Sequence, residues 1–378
     1  MAQDCPRPSP GIPGDGRAPE AGDLLHSGPE GDYYIDRGSG LVFRHPLPGA
    51  DGYSERSRAD RGVVGQRLES LGATRLAWIR QFAPGAHSLL EVGCAEGDLL
   101  LQARAGGLRV AGMEPSGPAL AEACRRIPDG DLVRGFFPAD APDRWRDLDV
   151  IAAFLVLEHV PSPAGFLAAA AARLAPGGTL VVEVPDLSRY DRADVGALCD
   201  DHLFHFDPVS LGVLAGGAGL AIVGQAPGAI PYSTVFAMRA GVRDRVAPRP
   251  EQAAAAFRAY LVRRRHWLDR CRARIDSALA AHGRVGAYGL GEAWRLLVAA
   301  GVVPTGRFHV ALDDRKDWDG REVAPGLRCA LPEQAVRELD CVMIFSSVYL
   351  ESMRRRVDEL ATAAGRPMAV VDGIGEES

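Results

Sequence analysis

The nine residues Cys199-Asp200-Asp201-His202-Leu203-Phe204-His205-Phe206-Asp207 set acids beside imidazoles and interleave them with aromatic rings. Such a stretch suits the lining of a partly dry pocket in which a histidine takes a proton from a reacting group. A carboxylate next to the ring, as Asp201 is to His202, orients it and raises its pKa, whereas burial lowers it. A second set lies upstream. Gly93, Ala95 and Gly97 are small residues in a turn after the apolar run Leu89-Leu90-Glu91-Val92, and they let backbone approach a ligand closely. The following strand, Leu108-Arg109-Val110-Ala111-Gly112-Met113, ends in Glu114, whose carboxylate can grip two ribose hydroxyls. This is the layout of a βαβ nucleotide site. The plainer reading of the same glycines is close packing of a helix on a strand.

The elements that must carry these residues can be placed from pattern. Residues 1–30 hold six prolines, five of them at positions 6, 8, 10, 13 and 19, with little apolar periodicity, and are expected to form a disordered leader. Residues 31–60 contain two short strands around Gly38-Ser39-Gly40, a β-hairpin region. Residues 61–245 form a first α/β domain. It begins with a helix striped by Leu68, Leu71, Leu76, Trp78, Ile79 and Phe82, followed by the strands and helices around the glycine turn. Asp149-Val150-Ile151-Ala152-Ala153-Phe154 is a buried strand. An alanine-rich helix over residues 166–174 leads through Pro176-Gly177-Gly178 into the strand Thr179-Leu180-Val181-Val182-Glu183-Val184. A helical linker occupies residues 246–282. The remainder, residues 283–378, repeats the strand, glycine turn and helix in miniature at Val285-Gly286-Ala287-Tyr288-Gly289-Leu290-Gly291, with Asp313 at the end of the next strand. Gly289, Gly291 and Asp313 are where a nucleotide-bearing substrate would meet this second domain. Their plainer roles are turn geometry and strand-end solvation. The basic run in the linker, Arg263-Arg264-Arg265 onward, reads first as a solvated helix face and second as a partner for a diphosphate.

The turn after Glu91, the acid Glu114 followed by Pro115-Ser116, and the later Leu157-Glu158-His159-Val160 together resemble the class I S-adenosylmethionine-dependent methyltransferases. The resemblance implies an α/β fold, with a Rossmann-like methyltransferase core plus a second, smaller Rossmann-like α/β domain. It implies S-adenosyl-L-methionine as cofactor, held by Glu91, Gly93, Ala95, Gly97, Glu114, Pro115, Leu157 and His159. Ala95 stands where the family usually has glycine. His159 is either a residue on the cofactor side or a satisfied core histidine, and Glu91 either faces the cofactor or ties down the amides of the turn.

From residue 31 to its end the chain also resembles the sugar C-methyltransferases, which act on nucleotide-linked deoxyketosugars. In them an N-terminal hairpin carries zinc-ligating cysteines. This chain lacks those cysteines, so the hairpin is expected to be metal-free, and no metal site is expected elsewhere. His205 with Asp201 or Asp207 offers ligands for one but no third partner at a telling spacing. The resemblance makes His202 the general base, with Asp201 beside it, and gives the family's missing tyrosine role at the ketone oxygen to His205 or another donor. The implied reaction is C-methylation across the cleft between the domains. O- or N-methylation of another small metabolite, and a non-catalytic cofactor-binding role, remain open.

Composition bounds the rest. Hydrophobic residues make up 47% and charged residues 24% of the 378, as in an ordinary globular protein with room for sizeable cores. A net charge of −6 gives no broad attraction to nucleic acid, which disfavours a polynucleotide acceptor. Seven scattered cysteines, an odd number, suit reduced thiols. No signal-like leader and no membrane-length apolar run is present. The expectation is a cytoplasmic protein acting on a small-molecule acceptor, with neither nucleic acid nor membrane as partner.

Overall fold

The computed structural model describes residues 23–28, 31–46, 65–192, 198, 202–241, 246–346 and 349–375, with backbone alone at 65–70, 192 and 292. It divides into two compact units, Met1–Ala193 with Asp200–Tyr260, and Asp194–Cys199 with Leu261–Ser378. No helix among the described residues is long and apolar enough to cross a membrane.

The first unit opens on β1 (Leu24–Gly28), β2 (Gly31–Ile35) and β3 (Val42–His45). It continues through α1 (Gly65–Phe82), β4 (Ser88–Val92), α2 (Asp98–Ala105), β5 (Arg109–Glu114), α3 (Gly117–Arg126), β6 (Asp131–Arg134) and β7 (Leu148–Phe154). After these come α4 (Pro163–Ala171), β8 (Leu174–Pro185), β9 (Phe204–His205), α5 (Pro208–Gly217), β10 (Leu220–Pro227) and β11 (Ser233–Ala240). The unit boundary falls within α6 (Pro250–Ala281).

Seven strands form the main sheet in the order β10-β11-β8-β7-β4-β5-β6. All pairs are parallel except those made by β11. Parallel strands covered on both faces are buried along their length and mostly apolar, and β4 is buried throughout. Neighbouring residues along it serve opposite cores. Leu89, with Val150 and Val181, packs with Leu76, Ile79, Leu99 and Leu100 of α1 and α2. Leu90, with Ile151 and Val182, packs with Phe166, Leu167, Leu211 and Leu214 of α4 and α5. The strand order reverses at β4, so the turns leaving β4 and β7 lie at the carboxyl edge where such sheets place ligands.

Two details differ from the sequence reading. The expected leader over residues 1–30 contains β1, which pairs antiparallel with β2. Its Leu24-Leu25-His26-Ser27 can extend along β2, and the proline-rich composition before it masks that capacity. Residues 1–22 lie outside those described. The helix expected to reach residue 174 ends at Ala171, and Pro176-Gly177-Gly178 lies inside β8, not in a turn before it. The register slips there, from Leu148↔Leu174 to Val150↔Thr179. Gly177 has φ 81°, and a Cβ on Gly178 would sit 2.7 Å from the Leu148 carbonyl oxygen, so this bulge requires both glycines.

The second unit contains β12 (Val285–Tyr288), α7 (Glu292–Ala299), β13 (Val310–Leu312), β14 (Glu322–Ala324), β15 (Leu327–Ala330), α8 (Pro332–Ala335), β16 (Cys341–Ile344), α9 (Leu350–Ala363) and β17 (Ala369–Asp372). Its sheet runs β14-β15-β13-β12-β16-β17 and is parallel but for the β14–β15 hairpin. Here too the order reverses at the first strand, β12, which carries the glycine turn.

Candidate functional site

The turn leaving β4 is built on three residues with left-handed backbone: Gly93 at φ 76°, Ala95 at φ 53° and Gly97 at φ 79°. A Cβ on Gly93 would stand 2.6 Å from Val156 Cγ2, and one on Gly97 3.0 Å from Ile127 Cδ1. Ala95 carries the one side chain forced into this conformation, which costs about 1 kcal/mol. Glu114, fully buried at the end of β5, secures it: Oε2 accepts from the Ala95 amide at 3.0 Å and Oε1 from the Ser116 amide at 2.8 Å. Arg126 of α3 adds a second clamp, donating to the Glu96 carbonyl at 3.0 Å and pairing with Asp98 at 2.8 Å. The sequence reading missed Arg126.

Glu114 therefore organises the loop. Glu91 lies on β4, 2% exposed, Pro115 is half-buried, and Leu157 is fully buried. The amides of Gly93, Cys94, Ala95 and Gly97 are taken up by the Met113 carbonyl, Glu114 and the Cys94 carbonyl, so the left-handed turn is a fixed, small-residue cradle that a ligand can approach closely. The residues present fit the cofactor that the sequence implied.

A second constellation gathers at the carboxyl end of β7. Leu155 is itself left-handed at φ 56°, an uncommon state for leucine that tends to occur where function demands it. The short helical turn Leu157–His159 follows. Glu158 is fully buried, and the His159 side chain is 12% exposed. The Leu203 amide donates to the Glu158 carbonyl at 2.8 Å, and the Arg44 amide to the Leu203 carbonyl at 2.8 Å. These bonds bring His202, 9% exposed, alongside, with its ring centroid 5.0 Å from that of His159. His205 follows on β9, paired with β3, so the hairpin sheet forms one wall of this cluster.

The structure thus draws His202 and His159 together, a pairing that the sequence reading did not make. It places His205 differently from the role offered above. That ring is wholly buried, 5.5 Å from Tyr33 and 5.3 Å from Phe257, and its Nδ1 lies 2.7 Å from the Tyr190 hydroxyl. Burial, with a smaller push from His202, lowers its pKa to about 3, so the ring is neutral. His205 positions its neighbours and does not reach solvent. Asp201 lies outside the described residues. Asp207 caps α5, accepting from the Ser210 amide at 2.6 Å. Glu183 and Asp186, at the end of β8, are also buried and bind Ser233 and Thr234 at 2.7 Å each.

In the second unit Gly289 has φ 89° and Gly291 caps α7. Asp313, 8% exposed, is gripped at both oxygens by Arg315, whose Nε and Nη2 donate at 2.8 Å each. The guanidinium lies 3.5 Å from the Trp318 ring centroid. The acid that would meet a ribose there is already paired.

Residues 64–225 match the methyltransferase-domain family. The chain is 32% identical over 103 residues to a trans-aconitate 2-methyltransferase of Paracidovorax citrulli, covering 27% of this chain and 40% of that protein. It is 34% identical over 117 residues to a ubiquinone biosynthesis O-methyltransferase of Thiobacillus denitrificans, covering 29% of this chain and 50% of that one. It spans half or less of the length of these curated relatives. Among solved structures, DesVI of Streptomyces venezuelae is similar at 21% identity and a TM-score of 0.38, over 47% of this chain and 93% of that one. The matched region, with its sheet order and its glycine turn, is a class I S-adenosylmethionine-dependent methyltransferase domain. S-adenosylmethionine is the cofactor of that domain class.

Proposed function

We propose that the protein is an enzyme that transfers a methyl group from S-adenosylmethionine to a small-molecule acceptor whose reacting atom must first lose a proton. The observation that carries this reading is the approach of the His202 and His159 ring centroids to 5.0 Å, with His159 in the turn leaving β7, the sheet neighbour of β4 and its glycine turn. When bound, the cofactor supplies an electrophilic methyl carbon. The chain's own part is to hold, to orient and to remove a proton. The left-handed turn of small residues lets the cofactor approach closely, and Glu114 keeps that turn in shape. His202 takes the proton from the acceptor. The buried neutral pair of His205 and Tyr190 fixes the wall behind it. The aromatic rings around the cluster limit water, which favours methyl transfer over side reactions.

The finer reading is C-methylation of a nucleotide-linked deoxyketosugar, with Asp201 beside His202. It rests on the resemblance of the whole chain after residue 31. O-methylation is the second reading, favoured by the O-methyltransferases among the curated relatives. The test is His202→Ala. Turnover of an accepted substrate should fall by about 10²–10⁴-fold while S-adenosylmethionine affinity, measured by calorimetry, stays within about twofold. Intact turnover would remove His202 from the mechanism, and absence of cofactor binding by the wild-type protein would remove the enzyme reading altogether.

A further inference from the structure

We propose that Glu158, His159 and His202 form a binding site for one divalent first-row transition ion, with Zn²⁺ as the natural probe. One ligand atom from each lies within 4.8 Å of the other two. Donors bound at ~2.1 Å in a tetrahedral shell stand ~3.4 Å apart, so the widest pair has to close by up to about 1.4 Å. The His159 Nε2 to Glu158 Oε1 separation, 3.9 Å, needs only about half an ångström of that. Side-chain rotation of His202 and His159 supplies the closure.

Three further features point the same way. The donors come from two chain segments tied together by the Leu203 amide to Glu158 carbonyl bond, so the backbone, not an exposed loop, sets their convergence. Glu158 is fully buried and its Oε1 lies 3.9 Å from His159 Nε2, so its carboxylate is directed into the cluster and not into solvent. The donor set is two imidazoles and one carboxylate. It suits Zn²⁺, Co²⁺ or Fe²⁺ and disfavours Mg²⁺ and Ca²⁺, which prefer all-oxygen shells. Three protein ligands also leave a coordination position for water or an acceptor oxygen.

The sequence reading looked for a metal at His205 with Asp201 or Asp207 and so missed this trio. The inference goes beyond the methyl-transfer reading: a His202 nitrogen that holds a cation does not take a proton, so the ion-bound chain and the chain in which His202 acts as base are two alternative states of one site, and a bound ion blocks proton removal by His202. The test needs neither cofactor nor acceptor, and its failure leaves that reading standing. The metal-stripped full chain is titrated with Co²⁺, followed by visible ligand-field absorption, and with Zn²⁺ by calorimetry. One ion per chain is expected, Zn²⁺ displacing Co²⁺. His159→Ala and His202→Ala should each weaken binding at least tenfold, with circular dichroism and the thermal midpoint reporting that the variants fold. Glu158→Gln should do the same. No stoichiometric binding by the wild-type chain overturns the proposal, and so does binding that both histidine variants leave unchanged.

Discussion

Two turns in this chain are built alike and hold their acids differently. Each leaves the strand at which its sheet order reverses, β4 in one unit and β12 in the other, and each starts on a left-handed glycine, Gly93 or Gly289. Each is followed by a strand ending at an acid. Glu114 accepts from the amides of Ala95 and Ser116 and thereby shapes its loop, whereas Asp313 is taken up by Arg315. The same supersecondary unit can thus make a ligand cradle or a self-paired corner. What decides is whether the strand-end acid faces the turn's amides or a cation from its own segment.

The largest expected contrast comes from the glycines. Gly93→Ala drives a Cβ to 2.6 Å from Val156 Cγ2 in left-handed backbone, and should cost about 2–4 kcal/mol and reduce S-adenosylmethionine affinity at least tenfold. Gly289→Ala meets the flexible end of Met353 at 3.3 Å, so only the backbone term of about 1–2 kcal/mol applies, with cofactor affinity unchanged. Urea denaturation and calorimetry on both variants measure the difference. Equal losses of affinity would break the comparison. Next comes Glu114→Gln, which keeps the shape but turns one acceptor oxygen into a donor facing an amide. About 1–3 kcal/mol of stability and a several-fold weaker cofactor complex are expected, while Asp313→Asn leaves cofactor binding untouched.

Acid should separate the units as well. The His205 pKa is depressed to about 3, below the value of about 6.5 in an unfolded chain. Above pH 6.5 neither state binds the proton and the full stability is present. Below it the unfolded chain binds a proton that the buried ring refuses, so stability falls by about 1.4 kcal/mol per pH unit towards pH 3. His205→Phe should flatten that dependence, as read from the denaturation midpoint at pH 7 and pH 5. An unchanged slope would assign the acid response to other groups.

How much of this could be read from sequence differs with distance along the chain. The glycine turn and Glu114 are close together, so spacing alone marked them, and the strand alternation of both units was visible in apolar runs such as Leu89-Leu90 and Val150-Ile151. Ala95 read as a mild replacement for glycine, because φ 53° leaves no trace in composition. β1 was hidden by the prolines before it, and the bulge at Gly177-Gly178 looked like a turn. The approach of His159 to His202 was invisible, since it depends on β3 and the Glu158 carbonyl capturing the chain at Leu203. Arg315 was passed over because a basic residue after a strand end is common, and nothing local shows that it folds back on Asp313.

That pair gives the smallest expected effect and the sharpest use of the comparison. The side chains of Arg315 and Asp313 are 16% and 11% exposed, between an exposed pair, worth 0–1 kcal/mol, and a buried one, whose breaking costs about 3–5 kcal/mol. Being two residues apart, they close almost no loop, so little chain entropy is at stake. Arg315→Ala also leaves the residue's own amide bonded to Asp313 Oδ1 at 3.0 Å. The loss should therefore be about 1–2 kcal/mol in urea denaturation. Arg315→Lys should lose roughly half of that, since it keeps the charge but neither the paired hydrogen bonds nor the flat contact with Trp318. If Arg315→Ala instead costs only a few tenths of a kcal/mol, the pair holds Asp313 no more firmly than solvent does. The carboxylate at the second turn would then be as available to a ligand as one at a nucleotide site, and the contrast between the two turns would lose its physical basis.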